Sequence, residues 1–147
     1  MKTQQQSMVE AVRRWLRQYD ELTDTRIDVD HLGAGIGSFS IFADGMPETL
    51  STFMLERQRR RTFFLCRECP YGDDAEQNTD NLSWYETFSH WVYEQDLCRN
   101  YPVLGDGFDC FGVADTTAGS VVTVTENGKA EYRIALTIDY TERMLKS

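Results

Sequence analysis

An α+β fold is predicted for this chain: a largely antiparallel sheet with one long β-hairpin, flanked by two helices. Three observations predict it. Apolar residues recur at helical spacing from Met8 to Leu22 and again through the aromatic segment 84–95. Two β-rich arms meet around Glu56-Arg57-Gln58, and the last strand keeps period two over six positions from Ala130 to Tyr140. At 147 residues the chain is long enough for one domain with its own core and too short for two. Residues 1–147 are therefore read as a single domain, with 1–6 as a disordered tail.

The first helix starts at a capping box, Ser7-Met8-Val9-Glu10, in which hydroxyl and carboxylate satisfy each other's backbone amides. Met8, Val12, Trp15, Leu16, Tyr19 and Leu22 form its apolar stripe, Arg13, Arg14, Arg17 and Gln18 its wet side, and Thr23-Asp24-Thr25 its end. Arg26 to Leu32 reads as a short strand. Three glycines in 33–37 hint at phosphate binding, but no helix follows to aim its amides at an anion, so this is a loop. Ser38 to Phe42 alternates like a strand, and Asp44-Gly45-Met46-Pro47 reads as a turn.

The hairpin arms are Thr49 to Leu55 and Arg59 to Glu68, with arginines at the tip and no glycine there to define the turn. The second helix is predicted to begin between Asp80 and Ser83, each a candidate cap, and to end at Asn100 and Pro102. Leu82, Tyr85, Phe88 and Val92 mark its buried face. Trp84 and Trp91 widen that face beyond a core stripe, which predicts that they meet a partner.

The last third reads as a β-meander: Phe108 to Asp115, Ser120 to Glu126, and the final strand after Asn127-Gly128, a strong hairpin signal. A two-residue loop there would place Glu126 opposite Lys129, Thr123 opposite Tyr132 and Val121 opposite Ile134. On the final strand Ala130, Tyr132, Ile134, Leu136, Ile138 and Tyr140 point one way; Glu131, Arg133, Thr137 and Asp139 point the other. Val122 and Val124 fall on the polar side, which predicts that a second element or a neighbouring subunit covers it.

A net charge of −9 disfavours nucleic acid and anionic lipid as principal ligands. Arg57, Arg59, Arg60 and Arg61 crowd into five positions, leaving −13 on the rest of the chain. Such a basic knob is either a solvated hairpin tip or a dock for an acidic partner. No apolar run approaches the roughly 20 residues of a membrane span, and residues 1–7 lack a signal-peptide core, so a cytosolic chain is expected.

Of four cysteines, Cys66 and Cys69 form a lone CxxC, while Cys98 and Cys110 stand apart. A zinc site usually needs a second knuckle or paired histidines, and His31 and His90 are not paired. A redox CxxC normally opens a helix; this one closes a strand. Neither metal nor cofactor is expected. His90 and Glu94, at i and i+4, share a helical face, a spacing more typical of a surface pair than of catalysis.

The order helix, strands, long hairpin, helix, three-strand meander, together with the wording of its joints, resembles a prophage-encoded minor capsid family of the phage tail-terminator (tail-completion) type. The matching segments are Ala11-Val12-Arg13-Arg14-Trp15-Leu16, Arg67-Glu68-Cys69-Pro70-Tyr71-Gly72-Asp73, Gln77-Asn78 with Asp80-Asn81, and Trp84-Tyr85-Glu86 with Trp91-Val92-Tyr93-Glu94-Gln95. Leu104-Gly105-Asp106-Gly107 and Tyr132-Arg133-Ile134-Ala135-Leu136 with Tyr140 complete the set. The likeness spans nearly the whole chain and lies in order and spacing; Cys66 and Cys69 are outside the pattern. It implies a compact α+β subunit that assembles as a ring, typically of six, on the head-proximal end of a completed tail tube. Such a ring stops tube growth and forms the head–tail joining surface in the virion. The implied partners are further copies of itself, the phage tail-tube protein and the head–tail connector protein, with no catalytic residue and no direct nucleic-acid or membrane recognition. On this reading Arg57, Arg59, Arg60 and Arg61 engage acidic surface on a neighbour. The alternatives are an acidic phage-encoded inhibitor that mimics DNA, or a small zinc or thiol protein using Cys66 and Cys69.

Overall fold

The computed structural model describes residues 4–29, 39–70, 75–116, 120–124 and 129–143. Among these residues it has the predicted class: a mostly antiparallel six-stranded sheet with two α-helices and a long hairpin. Helix α1 spans Gln4–Leu16 and α2 spans Ala75–Cys98; the strands are β1 Ile27–Val29, β2 Phe39–Phe53, β3 Glu56–Pro70, β4 Phe108–Asp115, β5 Ser120–Val124 and β6 Lys129–Arg143. Sheet order is β1-β2-β3-β6-β4, with β5 also on β6.

The spine is the β3–β6 ladder, unbroken from Glu56 opposite Arg143 to Pro70 opposite Lys129. Period two in β6 buries Tyr132, Ile134, Leu136, Ile138 and Tyr140, as the alternation predicts. They share a face with Phe63 and Leu65 of β3 and Phe39 and Ile41 of β2. Both helices cover this face. Tyr85 of α2 meets Tyr132 at 5.6 Å, Trp84 meets Phe39 at 5.3 Å, and Trp15 of α1 meets Trp91 at 4.9 Å. Trp15 also donates its indole N–H to the Asn100 carbonyl at 2.7 Å, clamping α1 to the end of α2.

Several boundaries differ from those predicted. Helix α1 begins at Gln4, inside the segment read as a tail, so Ser7 lies within the helix instead of capping it. It ends at Leu16, and a 3-10 turn, Asp20–Leu22, carries the stripe on to buried Leu22. Arg13 and Arg17 then tie the connection down, donating to the carbonyls of Ile27 and of Thr23 and Thr25. Helix α2 starts at Ala75, placing Asp80 and Ser83 inside it. Its end is a Schellman motif: Arg99 takes φ 58° where glycine is usual, its N–H bonds Asp96 O, and Asn100 N–H bonds Gln95 O.

Asp44-Gly45-Met46-Pro47 is not a turn between strands. It is a bulge within β2: Asp44 faces Thr62 but Glu48 faces Arg60, with Gly45 at φ 66°. Among the described residues β1 pairs only with 39–41, so this stretch has no second neighbour there and is an edge, where a bulge and a proline are tolerated.

The last third is not a meander either. β4 pairs with 136–142 of β6 and β5 with 130–133, so the two lie end to end along one side of β6. Thr116 N–H to Ala135 O continues the line between them. Val121 faces Tyr132 and Thr123 faces Glu131, a register shifted from the predicted one by a bulge at Val122. The glycine-rich segment 33–37, Asn127 and Gly128 lie outside the described residues.

Candidate interaction surface

The arginine segment is built differently from a knob. The hairpin closes with Phe53 opposite Glu56, so its turn is Met54-Leu55 and the arginines follow it along β3. Alternation sets Arg57, Arg59 and Arg61 on one face and Arg60 on the other. Each faces β6: Arg57 lies opposite Glu142, Arg59 opposite Tyr140, Arg60 opposite Asp139 and Arg61 opposite Ile138.

Their charges are largely answered inside the chain. Arg57 donates to Glu142 at 2.5 Å, and Arg59 approaches the same oxygen at 3.5 Å while donating to Pro47 O at 3.1 Å. Arg60 grips Asp139 with two bonds, 2.7 and 3.0 Å, and this pairing raises its pKa further. Arg61 is only 3% exposed, with its guanidinium 5.9 Å from the Phe63 ring centroid. Tyr140, buried beneath, has its hydroxyl pushed up by that burial. The expectation of four free cations on a tip is thus corrected. β6 returns beside β3 and brings two carboxylates with it, a contact between residues roughly 80 apart.

What the turn does expose is apolar. Phe53 is 74% exposed, Met54 83% and Leu55 57%, and with Glu56 they line an open concavity of about 710 Å³. Met54 also holds φ 55° without being glycine, a conformation costing roughly 1 kcal/mol or more. Single exposed apolar residues are ordinary, whereas three in succession at a strained turn are not. Their signal was the run Phe53-Met54-Leu55 in the sequence, outweighed there by the neighbouring charges.

Trp84 and Trp91, expected to face a partner, are partly buried in an aromatic cluster of the same chain. Trp91 lies 4.9 Å from Trp15, 5.3 Å from Tyr19 and 5.8 Å from Phe88. Trp84 stacks on Phe88 at 5.4 Å and takes the Arg67 guanidinium at 5.2 Å. The wide aromatic face exists because α2 must cover both α1 and the sheet. Its exposed residues include Tyr93 and Leu97, 59% and 63% exposed and one turn apart. Val122 and Val124 belong to β5, Val124 opposite Ala130; what their side chains face lies outside the described residues.

The cysteine pattern resolves in part. Cys66 is buried within β3 opposite Arg133, and burial raises its thiol to about 11. Cys69 occupies the same ladder opposite Ala130, its side chain outside the described residues. Burial holds Cys110 at about 12, while Cys98 is exposed. Thiols held protonated are poor nucleophiles and poor ligands. His90 and Glu94 approach to 3.6 Å on the open face of α2. Among the described residues no three His, Cys, Asp or Glu side chains converge on a metal-sized site, and no helix is long and apolar enough to cross a membrane.

Comparison of the sequence with protein-family models gives no match, and a search of curated proteins likewise finds none.

Proposed function

We propose that this chain is a structural subunit of the phage tail-terminator kind: it assembles as a ring on the completed tail tube, ends tube growth and presents the head–tail joining surface. The observation that carries the reading is the hairpin end, where a strained turn spends Phe53, Met54 and Leu55 on solvent. Exposure of that kind is costly for a lone monomer and useful to a protein that works by contact. The α+β class and the long hairpin support the same reading, although the last three strands are not the meander on which the resemblance partly rested.

Two features bear on the alternatives. A DNA mimic needs carboxylates arrayed without partners, whereas Glu10, Asp139 and Glu142 are bound to arginines of the same chain. A thiol function of Cys66 is opposed by its burial and raised pKa. The reading is tested with purified tail tubes and negative-stain microscopy. Added protein should appear as a cap on tube ends and arrest elongation by tube subunits; tubes that stay bare and keep growing would refute it.

A further inference from the structure

We infer that β6 is the closing strand of the fold: the elements before it reach their native arrangement only when it inserts, and the same step completes the hairpin arm. The inference stands apart from the proposed function and concerns how the subunit is made.

The topology carries it. β6 comes later in the chain than every strand it joins, yet it lies inside the sheet, with β3 on one side and β4 and β5 on the other. Among the described residues β4 and β5 pair with no other strand, so without β6 the sheet falls into separate pieces. The ladder to β3 joins residues roughly 60 to 90 positions apart, and such non-local contacts form late because chain entropy opposes them.

Burial points the same way. Tyr132, Ile134, Leu136, Ile138 and Tyr140 are fully buried, and together such side chains contribute as much as the whole net stability of a typical domain. Tyr132 also backs Tyr85 of α2 at 5.6 Å. Helix α2 reaches β4 through two carboxylates: Asp115 accepts the Ser89 hydroxyl at 2.5 Å, and Asp96 accepts the Val113 N–H at 3.2 Å. Since β4 is held in the sheet by β6, both anchors of the helix wait for that strand. At the far end of the ladder, Glu56, Arg57 and Gln58 pair with Arg143, Glu142 and Thr141, while Asp139 and Glu142 supply the counter-charges of Arg57, Arg59 and Arg60. The arm that carries the Met54-Leu55 turn is therefore finished only when β6 is in place.

The experiment follows the full chain on the ribosome. A glycine–serine linker of varied length and a translational arrest peptide are fused after Ser147, and release of the arrest reports the pulling force of folding. Short linkers leave residues 129–143 in the exit tunnel while the elements before them are outside. Those lengths should give no release, and a single peak should appear once Arg143 is clear of the tunnel. A peak at lengths that still hide β6 would overturn the inference. Native-state hydrogen exchange of the full chain gives an independent reading. Leu136→Ala should lower protection in the β2–β3 ladder and in α2, neither of which it belongs to, by the same factor as in β6, about a hundredfold. If that variant does not fold, Ile134→Val takes its place, with a common fall of about fivefold. Protection that drops in β6 while the β2–β3 ladder and α2 keep theirs would show that those elements stand without it, and the inference would fail.

Discussion

Replacing Trp91 by alanine separates a core residue from a partner-facing one. Its ring packs on Trp15, Tyr19 and Phe88 at 4.9 to 5.8 Å. A tryptophan buries up to roughly 200 Å², and a partly buried one about 150 Å². At about 25 cal/mol/Å² that is worth near 4 kcal/mol. Residual burial in the unfolded chain reduces the figure to about 3 kcal/mol. Aromatic pair terms partly overlap this area and are not added. For a domain of this size, such a loss lowers the melting temperature by about 10 °C. Urea denaturation followed by far-UV circular dichroism measures it without relying on the fluorophore removed. A loss under about 0.5 kcal/mol with weakened self-association would return Trp91 to the surface and refute the packing argument.

Other consequences follow from single contacts. Arg99→Gly should stabilise the protein by about 0.5–1 kcal/mol, seen in the urea midpoint, because glycine relieves the left-handed strain at the end of α2. Glu142→Gln should cost about 1–3 kcal/mol by stripping Arg57 and Arg59 of their shared counter-charge; the deficit should shrink in high salt, and a salt-independent loss would point to packing instead. Mass-mapped alkylation of the native protein should label Cys98 well before Cys66 and Cys110. The Cys66 thiol, near 11 when folded, titrates lower once unfolded, so the unfolded chain binds fewer protons in that window. Stability should therefore fall as pH rises from about 9 to about 11, by on the order of 2 kcal/mol. Cys66→Ala should make that slope shallower without abolishing it, because buried Cys110, held at about 12, acts in the same window with the same sign.

The arginine segment shows where one-dimensional reading ends. Four cations in five positions are plain in the sequence, but Glu142 and Asp139, which answer three of them, lie roughly 80 residues away. No local pattern reports a pairing at that distance. Reversing the arginines to glutamate, a natural test of a free basic knob, would set acid against Glu142 and disturb the monomer itself. Trp84 and Trp91 carry the same lesson: counting apolar positions on one helix cannot reveal that α1 and the sheet both claim its width.

The amino-acid sequence by itself determined the α+β class, the hairpin, both helices and the inward face of β6, because each is written in residues two to four positions apart. Alternation along β6 needs no partner to be recognised, and it places Tyr132 through Tyr140 correctly. Only the tertiary structure decided that β4 and β5 share one side of β6, that the 44–47 segment is a bulge, and that the hairpin end is apolar at its turn and neutralised along its arm. Those outcomes depend on which distant strand supplies hydrogen bonds and counter-charges, a choice settled by the whole sheet at once.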